Sequence, residues 1–151
     1  MTCSVVSLLL SGCANRFHHR DDIEMINSSE LRSRIDDQKP AALLVFDTRP
    51  SPEFELAHIP TARNFQLADC GPVRRADGRI SQFEMIVVYG DSAESPEARA
   101  VLKRLLAIGY ADVRLLRSGF NGWKSSGFPI ASGASTPLPP PGFWKPNYTS
   151  D

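Results

Sequence analysis

Few side chains in this 151-residue chain can do chemistry. Three cysteines, Cys3, Cys13 and Cys70, could supply a nucleophilic or sulfur-carrying thiolate. Their spacing forms no C-x-x-C pair, which argues against a structural zinc site or a thioredoxin-like dithiol. His18, His19 and His58 show no ligand spacing with acids or cysteines, so no metal and no cofactor is expected. His58, in His58-Ile59-Pro60, could be a base, but reads better as a ring hydrogen-bonded to backbone in a turn. Asp47, Arg49 and Glu53 look like a small ion network just past an apolar run. Its expected role is structural, with substrate binding as the alternative.

The elements that must position these groups follow from the apolar pattern. Residues 42–46 (A-L-L-V-F) and 85–89 (M-I-V-V-Y) are short continuous apolar runs of the kind found in strands buried on both faces. Residues 61–65 and 113–116 read as two further strands. Between them lie helices. Asn27-Ser28-Ser29-Glu30 offers a capped start, Leu31 and Ile35 share a face, and Pro40 closes the segment. Residues 50–56 make a second, short helix. A third is capped by Ser95, with Pro96 at its first position, Glu97 meeting its dipole and Gly109 stopping it. The inner face expected for it is Ala98, Val101, Leu102, Leu105 and Leu106. Residues 119–126 form a last helix carrying Trp123, and residues 67–79 read as loop and weak helix. Parallel strands need crossover connections, so the alternation predicts an α/β fold: a small parallel β-sheet with helices on both faces.

Composition narrows the function. Seventeen basic residues balance seventeen acidic ones, which gives no general field for nucleic acid. No apolar run reaches the roughly 18 residues that a spanning helix needs.

Five segments in order and register resemble the rhodanese homology domain. They are V-F-D-T-R (45–49), E-F-E-L-A-H-I-P (53–60), I-V-V-Y (86–89), L-L-A-I-G-Y (105–110) and G-F-N-G-W followed by G-F-P-I (119–130). The resemblance spans about residues 25–131 and implies the same parallel sheet flanked by helices. It also implies that Asp47, Arg49, Glu53 and His58 support the active-site edge. Two of the family's glycines are replaced here, by Ala57 and Thr61, and the family's G-G before the last helix reads Ser118-Gly119.

In active members of that family, the strand matching residues 86–89 is followed at once by a cysteine. Its loop curls around the sulfur with backbone amides pointing inward, at the start of a helix. In this chain that position is Gly90, and the loop runs Gly90-Asp91-Ser92-Ala93-Glu94-Ser95. Glycine can neither attack a sulfur donor nor hold a persulfide. Ser92 is a poor substitute, because a hydroxyl needs an adjacent base and forms no persulfide. Asp91 and Glu94, with Glu97 beyond, oppose anionic donors. The expectation is therefore a non-catalytic binding or regulatory module that meets a protein or small ligand at its loop face. The alternative is a sulfurtransferase or persulfide carrier using Cys70, with Arg74 and Arg75 close in sequence. The bland reading of Cys70 is a small packing residue. Phosphate-ester hydrolysis ranks last, because the loop lacks both a cysteine and an arginine.

The two ends of the chain differ from its middle. Val5, Val6 and residues 8–10 lead into Leu10-Ser11-Gly12-Cys13, which resembles the lipobox of bacterial lipoproteins. That resemblance implies a signal peptide over 1–12 and acylation of Cys13. It implies an anchor and tether over 13–24, ahead of the domain at 25–131, and an envelope location. Ala14, rather than Asp, after the cysteine points to the outer membrane facing the periplasm. No Lys or Arg precedes the patch, so a bland apolar N-terminus on a cytoplasmic chain is the alternative. The tether holds Arg16, His18, His19 and Arg20, read as solvated. From 132 to 151 the chain is proline-rich, with Phe143, Trp144 and Tyr148 as apolar anchors. A wrap back over the domain is expected, with docking on a partner as the sharper alternative.

Overall fold

A computed structural model describes residues 23–39 and 41–143. Cys3, Cys13 and the lipobox-like segment, the basic cluster of the tether, Pro40, Trp144 and Tyr148 lie outside the described residues.

Five strands form one sheet in the order β1-β5-β4-β2-β3, with every pairing parallel. They are β1 (Met25–Ile26), β2 (Leu43–Asp47), β3 (Arg63–Asn64), β4 (Met85–Tyr89) and β5 (Val113–Leu116). β4 is buried along its whole length because it pairs with β2 on one edge and β5 on the other, Met85 opposite Leu43 and Ile86 opposite Val113, and helices cover both of its faces. This is why it reads as a continuous apolar run rather than an alternating one. The helices are α1 (Ser28–Asp36), α2 (Ser51–Leu56), α3 (Gly78–Ser81), α4 (Pro96–Ile108) and α5 (Gly119–Ser125), with a 3-10 turn over Leu67–Asp69.

The strand period of two divides the core into two clusters. Leu44, Phe46, Ile86, Val88 and Leu115 point to one face, where Ala98, Val101, Leu102 and Leu105 of α4 cover them. Val45, Val87, Tyr89 and Leu116 point to the other, under Leu31 of α1, Phe54 of α2 and Phe120 and Trp123 of α5. Helices on both faces of a parallel sheet are the architecture expected from the alternation. Full burial of a side chain such as Leu102 contributes about 1.5–3 kcal/mol.

Local chemistry sets the helix ends. The Asn27 side chain accepts the Glu30 amide at 2.8 Å and starts α1. Gly109 ends α4 at φ +112°, and its amide donates to the Leu105 and Leu106 carbonyls. Two expectations for α4 need correction. Leu106 is 43% exposed, and Ile108, three residues past Leu105, takes its place on the inner face. Ser95 occupies the N-cap position, but its side chain does not cap the helix.

β1 was not expected, since two residues carry no periodic signal. Its pairing is nevertheless plain: Leu115 donates to the Glu24 carbonyl at 2.9 Å and Arg117 to that of Ile26 at 3.0 Å. Ile23, which the sequence grouped with the tether, packs against the α4-side core. At the opposite edge the proline-rich segment wraps back over the domain. Ala131 bridges His58, the Asn64 amide donates to Ser135 Oγ at 2.9 Å, Arg63 Nε reaches the Pro137 carbonyl at 3.3 Å, and Leu138 packs on the core. A side chain and a proline-rich strap thus occupy the open edge of β3. Among the described residues, no helix is long and apolar enough to cross a membrane.

Candidate functional site

The site sits at the C-terminal ends of β2 and β4, where a parallel sheet leaves backbone groups for its loops to satisfy. The Tyr89 carbonyl accepts both the Thr48 amide, at 2.9 Å, and the Thr48 hydroxyl, at 3.0 Å. Gly90 then starts the loop and is buried. From the other side, the first turn of α5 holds the loop down. The Phe120 amide donates to the Gly90 carbonyl at 2.8 Å and the Asn121 amide to that of Asp91 at 3.1 Å. Gly119, at φ +59°, permits this approach; a Cβ there would overlap the Asp91 carbonyl and Ser92 Cα.

Inside the loop the hydrogen bonds close on themselves. The Ser92 amide donates to Ser95 Oγ at 3.2 Å, the Glu94 amide to Ser92 Oγ at 3.2 Å, and the Ser95 amide to the Ser92 carbonyl at 3.3 Å. Arg99 Nε donates to the Ala93 carbonyl at 2.8 Å, so this cation touches the loop through backbone, on the side of buried Ala93. Asp91, Glu94 and Glu97 are exposed. A shallow open cleft lies beside the loop, lined by Thr48, Leu67, Ala68, Pro96, Glu97 and Ala100.

Beneath the loop is a buried ion pair. Arg49 meets Asp47 bidentately, Nε to Oδ1 at 3.0 Å and Nη2 to Oδ2 at 2.6 Å, with Asp47 wholly buried. Arg49 Nη2 also donates to the Ala57 carbonyl at 2.7 Å. Burial works against the guanidinium charge, but the hydrogen bonds and charge of Asp47 prevail and hold Arg49 above its ordinary range. Burial, aided by the Asp47 charge, pushes the Tyr89 phenol far above its usual value, and its oxygen accepts the Ile59 amide at 3.1 Å. Arg49 Nε and Nη2 thus tie the end of β2 to the chain at Ala57.

His58 donates from Nδ1 to the Phe54 carbonyl at 2.8 Å and stacks on the Phe54 ring, so the structure places it in the turn as a backbone-bonded residue. Glu53 does not join Asp47 and Arg49; it is exposed on α2 and has no ion pair among the described residues. Thr48 and Asn64 were not singled out in the sequence, yet both tie the site together. Asn64 Nδ2 donates to the carbonyls of Asp47, at 3.1 Å, and Arg49, at 2.7 Å. The only sequence signal for either was an amide or hydroxyl residue at the end of a strand run.

Among the described residues, Cys70 makes no hydrogen bond to the loop and does not line the cleft beside it. It follows the 3-10 turn, half-buried, with its thiol 4.0 Å from the Gln66 carbonyl. Burial pushes its pKa up; Arg104, rather than Arg74 or Arg75, pulls it down, and Asp69 adds to the rise. Arg104 lies eight residues past Pro96 on α4, a distance of about 12 Å along the helix. Among the described residues, no group of three His, Cys, Asp or Glu side chains could hold a metal ion.

A family model for the rhodanese-like domain matches residues 27–126. No curated protein matches the chain. Among solved structures, it is similar to the Alr3790 protein of Anabaena sp., with 27% identity over 72% of this chain and 80% of that one and a TM-score of 0.56. It is similar to RPA3614 of Rhodopseudomonas palustris, a protein of unknown function and possible tyrosine phosphatase, with 19% identity over 72% of this chain and 85% of that one and a TM-score of 0.61. SseA of Escherichia coli, a 3-mercaptopyruvate sulfotransferase, shares 18% identity over 79% of this chain and 56% of its own, with a TM-score of 0.59. The last two likenesses concern the fold alone.

Proposed function

The chain belongs to the rhodanese-like domain family, and from that premise we propose that it is a non-catalytic member, a binding or regulatory module that meets a protein or small ligand at its loop face. The observation that carries this reading is Gly90 at the end of β4, where sulfur transfer needs a side chain that can form a persulfide. Two features support it. The loop amides of Ser92, Glu94 and Ser95 have internal acceptors, and the exposed charges of the loop are acidic. What remains accessible is the outer face of the loop with the cleft beside Pro96 and Leu67. The test is to incubate the purified chain with thiosulfate and cyanide and measure thiocyanate. None above a heat-killed control is expected, and turnover would overturn the reading.

A second reading, a sulfurtransferase or persulfide carrier using Cys70, keeps one observation in its favour: Arg104 lowers the thiol's pKa. Burial and Asp69 work against it. It requires the Cys70 peptide to gain the mass of one sulfur atom after treatment with a sulfane donor, and an unchanged mass removes it.

The N-terminal segment adds a location. We propose that residues 1–12 are a signal peptide and that Cys13 carries acyl chains. The domain, over 25–131 with its tail over 132–151, would then be held at the outer membrane of a bacterial envelope, facing the periplasm. Each buried CH₂ of such an anchor contributes about 0.8 kcal/mol. The intact mass of the protein from its native host reports cleavage before Cys13 and lipid attachment together; an uncleaved, unmodified chain would point to the cytoplasm instead.

A further inference from the structure

Gly90 lacks more than a thiol: it lacks room for any side chain. A Cβ built on its backbone would stand 2.5 Å from Ser95 Oγ, 2.6 Å from Ser95 Cβ and 3.4 Å from Ala98 Cβ. Backbone conformation is not the obstacle, since Gly90 is not among the residues with positive φ. Rotation about χ1 of Ser95 would move the hydroxyl but not the Cβ, which the backbone at the start of α4 fixes. Behind it, Ala98 is fully buried and cannot retreat without disturbing the α4 core.

The same side chain also serves the loop as an acceptor. Its oxygen takes the Ser92 amide at 3.2 Å instead of capping α4. An amide at that point of a loop leading into a helix N-terminus would otherwise be available to an anion.

We propose that Ser95 is an internal plug: its CH₂OH group fills the space that a side chain at position 90 would need, and its oxygen replaces an outside ligand at the Ser92 amide. The proposal rests on the reading of the loop as non-catalytic and deepens it. The site is closed by a residue that occupies it, as well as by the residue that is missing. A ligand of this face then binds on the outer surface of the loop and in the adjoining cleft.

A mutant cycle on the full chain tests the plug, with urea unfolding midpoints as the readout. Gly90→Ala should lower the midpoint in the wild-type background and again in the Ser95→Ala background, because alanine keeps the Cβ that lies 2.6 Å away. In the Ser95→Gly background, the same Gly90→Ala change should lower it by a small fraction of that shift. Equal shifts in all three backgrounds would overturn the proposal. If Gly90→Ala does not fold alone, recovery of a cooperative transition on adding Ser95→Gly supports the plug, and failure to recover overturns it. The thiocyanate assay on the wild-type chain decides the non-catalytic reading separately, so the two failures are distinguishable.

Discussion

The guanidinium of Arg49 lies 3.8 Å from the centre of the Phe120 ring while its donors hold Asp47, so one side chain braces the end of β2 against the helix that pins the loop. Phe120 is the residue whose amide holds the Gly90 carbonyl. Position 49 therefore supports the loop from below through position 120, without reaching its interior.

The first prediction concerns this pair. Removing one partner of a buried ion pair leaves an uncompensated charge and costs about 3–5 kcal/mol. Asp47→Ala should lower unfolding stability by about that much, read from urea melts. Glu53→Ala, on an exposed side chain, should stay within about 0.5 kcal/mol of wild type. Similar losses for the two variants would contradict the geometry.

The second concerns the hinge of the loop. Gly119 combines φ +59° with contact against Asp91 and Ser92. Gly119→Ala adds both backbone strain and overlap, and should destabilise by at least about 1–3 kcal/mol. Amide exchange at Asn121, whose N–H is bonded to the Asp91 carbonyl, should quicken with it. A variant with unchanged exchange at Asn121 would mean that the loop does not lean on α5.

The third concerns Cys70. Burial raises its thiol pKa in the folded chain, so the protonated form is the one folding favours. In the unfolded chain the proton leaves near pH 8.5; stability from this group is therefore intact below about that pH and declines as pH rises from there through the higher folded value. Alkylation of Cys70 near neutral pH should be slower in the native chain than in urea, and Cys70→Ser should flatten the alkaline loss of stability. Faster alkylation in the native chain would show an activated thiol.

The fourth concerns the strap. Removing the chain from residue 132 onward uncovers the β3 edge at Asn64 and the cluster beneath Leu138. An exposed strand edge beside apolar surface favours pairing with another copy. The truncated chain should melt lower and show self-association by light scattering, and a monodisperse monomer of unchanged midpoint would contradict this role.

How much was legible beforehand varied with the range of the interaction. β2, β4, β5, α4 and α5 could be read because burial on both faces and helical spacing are written in adjacent residues such as Met85 to Tyr89. β1 could not be read, and β3, expected over 61–65, narrows to Arg63–Asn64, because the strand character of these two-residue pieces comes from the partners they meet, Leu115 and Leu116 in one case and Phe46 and Asp47 in the other. Ser95 was recognisable as an N-cap residue, but whether its hydroxyl would turn to α4 or to Ser92 depends on the path of the loop under α5. Glu53 reads in sequence as a third member of an ion network with Asp47 and Arg49, yet its position on α2 turns it to solvent.

By itself the sequence determined the class of fold, because apolar runs alternating with helical spacing are written in local order, and it placed a glycine at the position where the family resemblance leads one to expect a cysteine. Only the tertiary structure decided that Ser95 stands where a Cβ on Gly90 would fall, that Arg49 lies against Phe120, and which edge the proline-rich strap covers. Each of these depends on contacts between segments far apart or on the exact path of a loop, and steric overlap at the scale of an ångström is set by packing, which no pattern of neighbouring residues encodes.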